Sequence, residues 1–185
     1  MPHSLTQNLS QNLSQNLCRM GLLSLLALSP NAFSQQQPGA ASGNDITTES
    51  FQDWEVRCQS NAEGPSPCAM SQLITQPDSD QPLMQVILDY PPQIDAPVMS
   101  FFVPLGVRLA PGLQFSVDNG EPVQFPYQVC QEQGCRADVP IESSMLQQLR
   151  SGNTATLSMI SPRGERMDID ISLIGFTDAS TRIAP

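Results

Sequence analysis

Two cysteine pairs each bracket a short run of turn-forming residues. Cys58 and Cys68 enclose Gln-Ser-Asn-Ala-Glu-Gly-Pro-Ser-Pro, and Cys130 and Cys135 enclose Gln-Glu-Gln-Gly. Apolar and polar residues alternate on the flanks of these runs, the pattern of strands with one face in a core. If each turn closes a hairpin, its two cysteines face each other at the loop base, close enough for a disulfide. Four cysteines allow three connectivities, and the hairpin reading selects Cys58 with Cys68 and Cys130 with Cys135. Such bridges require an oxidising compartment. The rival reading, a redox or metal site, lacks support because no Cys-x-x-Cys spacing is present.

The N-terminus agrees with export. Met1 to Arg19 is polar and carries three tandem repeats ending at Leu9, Leu13 and Leu17. Met20 to Leu28 is apolar, and Ala32-Phe33-Ser34 offers small residues for a peptidase. Residues 1–34 therefore read as a signal peptide, with an apolar run well short of the ~20 residues that span a bilayer. Cys18 is no lipid-attachment site, because it precedes the apolar run instead of following it. Residues 35–50 (QQQPGAASGNDITTES) have almost no apolar periodicity and read as a flexible linker.

The remainder, 51–181, is expected to be one all-β domain, a mainly antiparallel sandwich or barrel-like fold with one short amphipathic helix. Expected strands run over Phe51–Cys58, Cys68–Thr75, Leu83–Tyr90, Val98–Val103, Gly106–Leu109, Leu113–Asp118, Val123–Cys130 and Arg136–Val139. A hairpin follows, pairing Thr154–Ile160 with Met167–Leu173 across Ser161–Glu165. Ile141, Met145, Leu146 and Leu149 fall at helical spacing, with Arg150 in the last turn and Gly152 beyond it.

Composition removes most familiar chemistry. His3 lies in the leader, and none of the eight basic residues is a lysine, so the exported chain has neither an imidazole nor an amine base. No phosphate-cradling glycine loop occurs. The formal charge of −10 disfavours nucleic acid and anionic lipid, and no segment supplies a basic patch. Carboxylate-pair hydrolysis survives in principle. Its candidates, Asp168 and Asp170, share the solvated face of an alternating strand. Asp78-Ser79-Asp80 resembles the start of a calcium loop, but Pro82 follows where further ligands are needed. The six methionines after the leader are scattered and read as core filler. Trp54, Phe101, Phe102 and Tyr127 could form a recognition surface, although core packing is their commoner fate. The sequence points to no metal, no cofactor and no catalytic residue.

The assembled pattern resembles the invasion-associated locus B family of exported bacterial proteins. The resemblance is carried by Trp54-Glu55-Val56-Arg57-Cys58, Cys68 with Gln72, Pro104 through Leu113, Val117-Asp118, Pro126-Tyr127 with Cys130, Gly134-Cys135-Arg136-Ala137 and Leu173-Ile174-Gly175-Phe176. It implies a periplasmic or surface-associated protein, linked in pathogenic members to host-cell entry, with no established catalytic mechanism. The absence of lysine departs from the family. The expectation is an exported, non-enzymatic binding module with a protein partner in the envelope or on a host. A carboxylate-pair hydrolase and a structural or stress-protective periplasmic protein stand as alternatives. An apolar patch or open sheet edge would favour binding, and a cleft with two close carboxylates the hydrolase.

Overall fold

The computed structural model describes residues 45–60 and 67–185. The expected signal peptide, 1–34, and most of the expected linker, 35–50, lie outside the described residues. Two antiparallel sheets enclose one core. The larger sheet has the order β1-β2-β3-β4-β5-β9-β8: β1 Ile46–Phe51, β2 Trp54–Gln59, β3 Cys68–Thr75, β4 Pro82–Asp89, β5 Val98–Val103, β9 Gly134–Pro140 and β8 Val129–Gln131. The smaller has the order β11-β10-β6-β7: β11 Arg166–Ser172, β10 Thr154–Ile160, β6 Leu113–Val117 and β7 Val123–Phe125. Helix α1, Ser143–Ser151, joins β9 to β10, and α2, Phe176–Arg182, ends the chain's regular structure.

Alternation explains the layers. Trp54, Val56 and Cys58 of β2, Met84, Val86 and Leu88 of β4, and Leu113, Phe115 and Val117 of β6 point inward at every second position. Phe101 fills the centre, its ring 5.3 Å from that of Phe115 and 5.5 Å from that of Phe125. The expected hairpin forms over 154–172, with Leu157 opposite Ile169 and Ala155 opposite Ile171. Cys58 lies directly opposite Cys68, and Cys130 opposite Cys135; each pair is disulfide-bonded, with Cα atoms 4.1 and 4.0 Å apart.

Five elements differ from the sequence reading. Residues Ile46 to Ser50, assigned to the linker, form most of β1, which is held by its ladder to β2 and not by buried side chains. The expected strand Phe51–Cys58 is split by the two-residue turn Gln52-Asp53, where Gln52 takes φ 55° without the usual glycine. Gly106–Leu109 is irregular: Gly106 has φ 87°, and only the Arg108 N–H reaches a strand, donating to the Ile160 carbonyl at 2.8 Å. Val123–Cys130 is interrupted at Pro126, which cannot donate to a ladder, so β7 stays in the small sheet while β8 crosses to the large one. A second helix, α2, also joins the expected α1 and runs past residue 181.

A polar lock ties the two sheets together beside α2. The Trp54 indole N–H donates to the Ser172 carbonyl at 2.9 Å, and its ring meets Phe176 edge-on at 5.2 Å. Gln72, buried on β3, donates to the carbonyls of Asp53 (3.1 Å) and Ser172 (3.2 Å) and accepts from the Ser172 N–H (3.1 Å). The Ser172 hydroxyl donates to the Asp53 carboxylate at 2.6 Å. The β1–β2 turn is thereby pinned to the end of β11.

Candidate functional site

Antiparallel order brings the start of β1, the end of β2, the start of β3 and the end of β4 to one end of the large sheet. There Ile46 faces Gln59, Cys58 faces Cys68, and Ala69 faces Asp89. The chain leaving β4, Tyr90-Pro91-Pro92, cannot continue the ladder and bends across this end. Ile94 and Asp95 follow it, and Ile183 and Pro185 close the opposite wall. The result is an open groove of about 970 Å³. Its lining is mainly apolar, with Ile46 62% and Ile94 44% exposed.

The polar members of the groove are few. Arg57 is paired with Glu55 on its own strand, which leaves the carboxylates of Asp89 and Asp95 as its electrostatic character. Burial pushes the Asp89 carboxyl above its usual range; Arg136 pulls it down, and the nearby Asp138 pushes it up again. Arg136 is itself occupied by Asp138 at 2.8 Å. Ionised Asp89 therefore costs the folded state stability. Because the folded chain binds that proton more tightly than the unfolded chain, this stability is present at low pH and is lost as pH rises toward the folded value. Asp89→Asn is expected to melt higher than the parent at neutral pH, with the gap closing as pH falls through the folded value toward about 3.9, below which the unfolded aspartate is protonated too. Calorimetric melts across that range measure it; a gap independent of pH would show that desolvation of the charge is not the cause.

The outer face of the large sheet carries one cross-strand row, Leu73, Gln85, Phe102, Arg136 and Val129, spanning β3, β4, β5, β9 and β8. Leu73, Phe102 and Val129 are exposed, and the Arg136 guanidinium lies 5.7 Å from the Phe102 ring centre. Of the aromatic residues considered for recognition, only Phe102 stands in this exposed row. Trp54 and Phe101 are buried, and the Tyr127 hydroxyl is enclosed without a hydrogen-bond partner among the described residues.

The carboxylates singled out from the sequence are tied to neighbours. Asp168 pairs with Arg166 at 2.7 Å, and the Ser158 hydroxyl, with the Arg166 guanidinium, holds its carboxyl below the usual range. Asp170 accepts from the Thr156 hydroxyl at 3.0 Å. Both lie exposed on the solvent face of β11. Asp78-Ser79-Asp80 is the turn between β3 and β4. Among the described residues no three His, Cys, Asp or Glu side chains gather as a metal would require. Nor is any described helix long and apolar enough to cross a membrane. The groove was missed by sequence reasoning because its walls come from segments more than 100 residues apart.

The sequence profile described as Invasion associated locus B (IalB) protein matches residues 54–184, beginning at the lock tryptophan. The chain belongs to the IalB family. Curated relatives of this IalB chain include the invasion protein B homologs of Brucella abortus strain 2308 and of biovar 1 strain 9-941. Each is 30% identical over 159 residues, which cover 84% of this chain and 87% of the relative. The crystal structure of invasion associated protein B from Bartonella henselae shares the fold with a TM-score of 0.65. It is 20% identical and covers 74% of this chain and 94% of that one. The IalB match spans both cystine hairpins, the Trp54–Gln72–Ser172 lock and every groove-lining residue except Ile46 and Pro185.

Proposed function

We propose that this IalB-family chain is an exported, non-enzymatic binding module of the periplasm or cell surface, and that its groove takes an extended segment of an envelope or host-facing protein. The observation that carries the reading is the groove itself: an open, mainly apolar trough whose uncompensated polar groups are the acids Asp89 and Asp95. Such a lining suits a peptide that buries apolar side chains and presents a lysine or arginine to the carboxylates. The formal charge of −10 would speed the approach of a basic partner. The signal-type leader, the two cystines and the names of the relatives support export and an interaction role.

The test is affinity capture from envelope extracts with the mature chain and with Ile94→Asp, which places a charge at an exposed point of the groove wall without touching the core. A partner retained by the parent and lost by the variant is expected. Recovery of the same proteins with both would remove the groove from the reading. A hydrolytic activity on envelope glycan that disappears in Asp89→Asn would transfer the assignment to the carboxylate-pair hydrolase.

A further inference from the structure

The four edges of the two sheets are not alike. Strands β7 and β8 are three residues long; β7 ends against Pro126, and β8 lies inside a cystine hairpin. The β11 edge carries Arg166, Asp168 and Asp170, charges that discourage further pairing. Strand β1 has no proline and no cystine, and carries a single charge, Glu49. It is six residues long, exposed along nearly its whole length, free of proline and of basic residues, and unpaired on its outer side among the described residues.

The ladder shows which groups that edge offers. The Ser60 N–H donates to the Asp45 carbonyl at 2.8 Å, so 45 and 60 form a hydrogen-bonded pair. By antiparallel alternation the pairs 47 with 58, 49 with 56 and 51 with 54 are also hydrogen-bonded. The N–H and C=O groups of Ile46, Thr48 and Ser50 therefore point away from β2.

We infer that β1 pairs antiparallel with β1 of a second copy of this chain about a two-fold axis at Thr48, joining two large sheets into one. In that register Ile46 faces the partner copy's residue 50, Thr48 faces its own symmetry mate, and Ser50 faces residue 46, so every outward backbone group of the strand is used. The side chains match as well. Thr48 meets a threonine, a favourable cross-strand pair, and Glu49 meets the partner copy's residue 47, a threonine and not a like charge. Glu49, the one charged residue of β1, is already neutralised within its own chain by Arg182, whose Nε and Nη2 reach it at 3.0 and 2.7 Å. On the neighbouring strand Glu55 is likewise held by Arg57. Such an isologous, edge-only contact belongs to the weak class of interfaces, below about 1,200 Å², so the dimer should dissociate on dilution. The net charge of −10 on each copy opposes it at long range, so added salt should strengthen it, the reverse of an ion-paired interface.

Sedimentation velocity of the purified mature chain across the micromolar range tests this without any other partner, so its outcome is independent of the capture experiment above. A reversible monomer–dimer equilibrium that tightens with salt is expected. Thr48→Pro removes the central N–H, which β2 does not use, and proline is tolerated on the open side of an edge strand. That variant should keep the parent circular dichroism and melting temperature and sediment as a monomer at every concentration. Under oxidation, Thr48→Cys should give a covalent dimer, because the register sets the two 48 positions opposite each other, whereas Ser50→Cys, whose two copies lie four residues apart across the axis, should not. A parent chain that is monomeric throughout, a Thr48→Pro variant that dimerises like the parent, or equal cross-linking at 48 and 50 would each overturn the inference.

Discussion

Replacing Trp54 by alanine is expected to lower the unfolding free energy by about 3 to 5 kcal/mol, enough to unfold a marginal domain. The residue is 1% exposed, and its loss acts at several points. It empties a large volume between β2 and α2, takes away the ring that meets Phe176 edge-on, and removes a donor from the Ser172 carbonyl. Trp54→Phe separates these contributions. It keeps a ring against Phe176 and loses only part of the volume and the N–H, while the Ser172 carbonyl still accepts from Gln72. Its cost should be smaller, about 1 to 2 kcal/mol. Urea unfolding followed by far-ultraviolet circular dichroism measures both, since the chain has no other tryptophan to report by fluorescence. Equal losses in the two variants would show that the indole N–H, and not the packing, dominates.

This lock also shows what the sequence could and could not reveal. The cystine hairpins were legible because two independent cues coincide, cysteines at matched positions and turn formers between them. Strands β10 and β11 were legible because β10 carries β-branched residues and β11 alternates apolar with polar residues, on either side of a Pro-Arg-Gly turn. Local patterns of this kind need no knowledge of distant chain. Strand β1 has no such pattern: its stability comes from a backbone ladder to β2 and from Arg182, 133 residues away in sequence. Helix α2 is seven residues long and leans on Trp54 through Phe176, so its formation depends on a docked surface more than on its own propensity. The crossing at Pro126 was hidden because residues on both sides favour strands, and only the tertiary fold decides that β7 and β8 belong to different sheets.

The candidate site was less legible than the fold for the same reason. Trp54, Gln72 and Gly175 stood in the quoted family motifs, but nothing local indicated that the first two meet at the Ser172 backbone. The groove draws on β1 to β4, the Tyr90–Asp95 connection and the C-terminus, and no periodicity links those segments. Charge did carry information. A chain without lysine, whose one histidine is His3, leaves the groove with apolar contacts, the carboxylates of Asp89 and Asp95, and an Arg57 already paired with Glu55.

Gly175→Ala should be as damaging as the loss of the Trp54 side chain, for a reason that volume alone would not suggest. Gly175 precedes α2 with φ 86°, a left-handed conformation that costs most other residues about 1 to 2 kcal/mol. A Cβ there would lie 2.1 Å from the Phe51 carbonyl oxygen, 2.8 Å from its carbon and 2.9 Å from the Gln52 Cβ. Two of these neighbours are backbone, and they belong to a turn already pinned by the Gln72, Asp53 and Ser172 hydrogen bonds, so neither can rotate aside as a flexible side chain would. Either the β1–β2 turn or the start of α2 must move. Moving the turn breaks its bonds to Ser172, and moving the helix withdraws Phe176 from Trp54. The expected cost is about 3 to 5 kcal/mol, the backbone strain and the steric displacement together. The two responses are distinguishable. If α2 moves, the near-ultraviolet dichroism and fluorescence of Trp54 change in the folded variant; if the turn moves, the Trp54 signal is retained and amide exchange speeds up over Asp53 and Ser172. A variant with parent stability and an unaltered Trp54 spectrum would mean that residues 172–176 do not lie against the turn, and the lock between the sheets would have to be drawn differently.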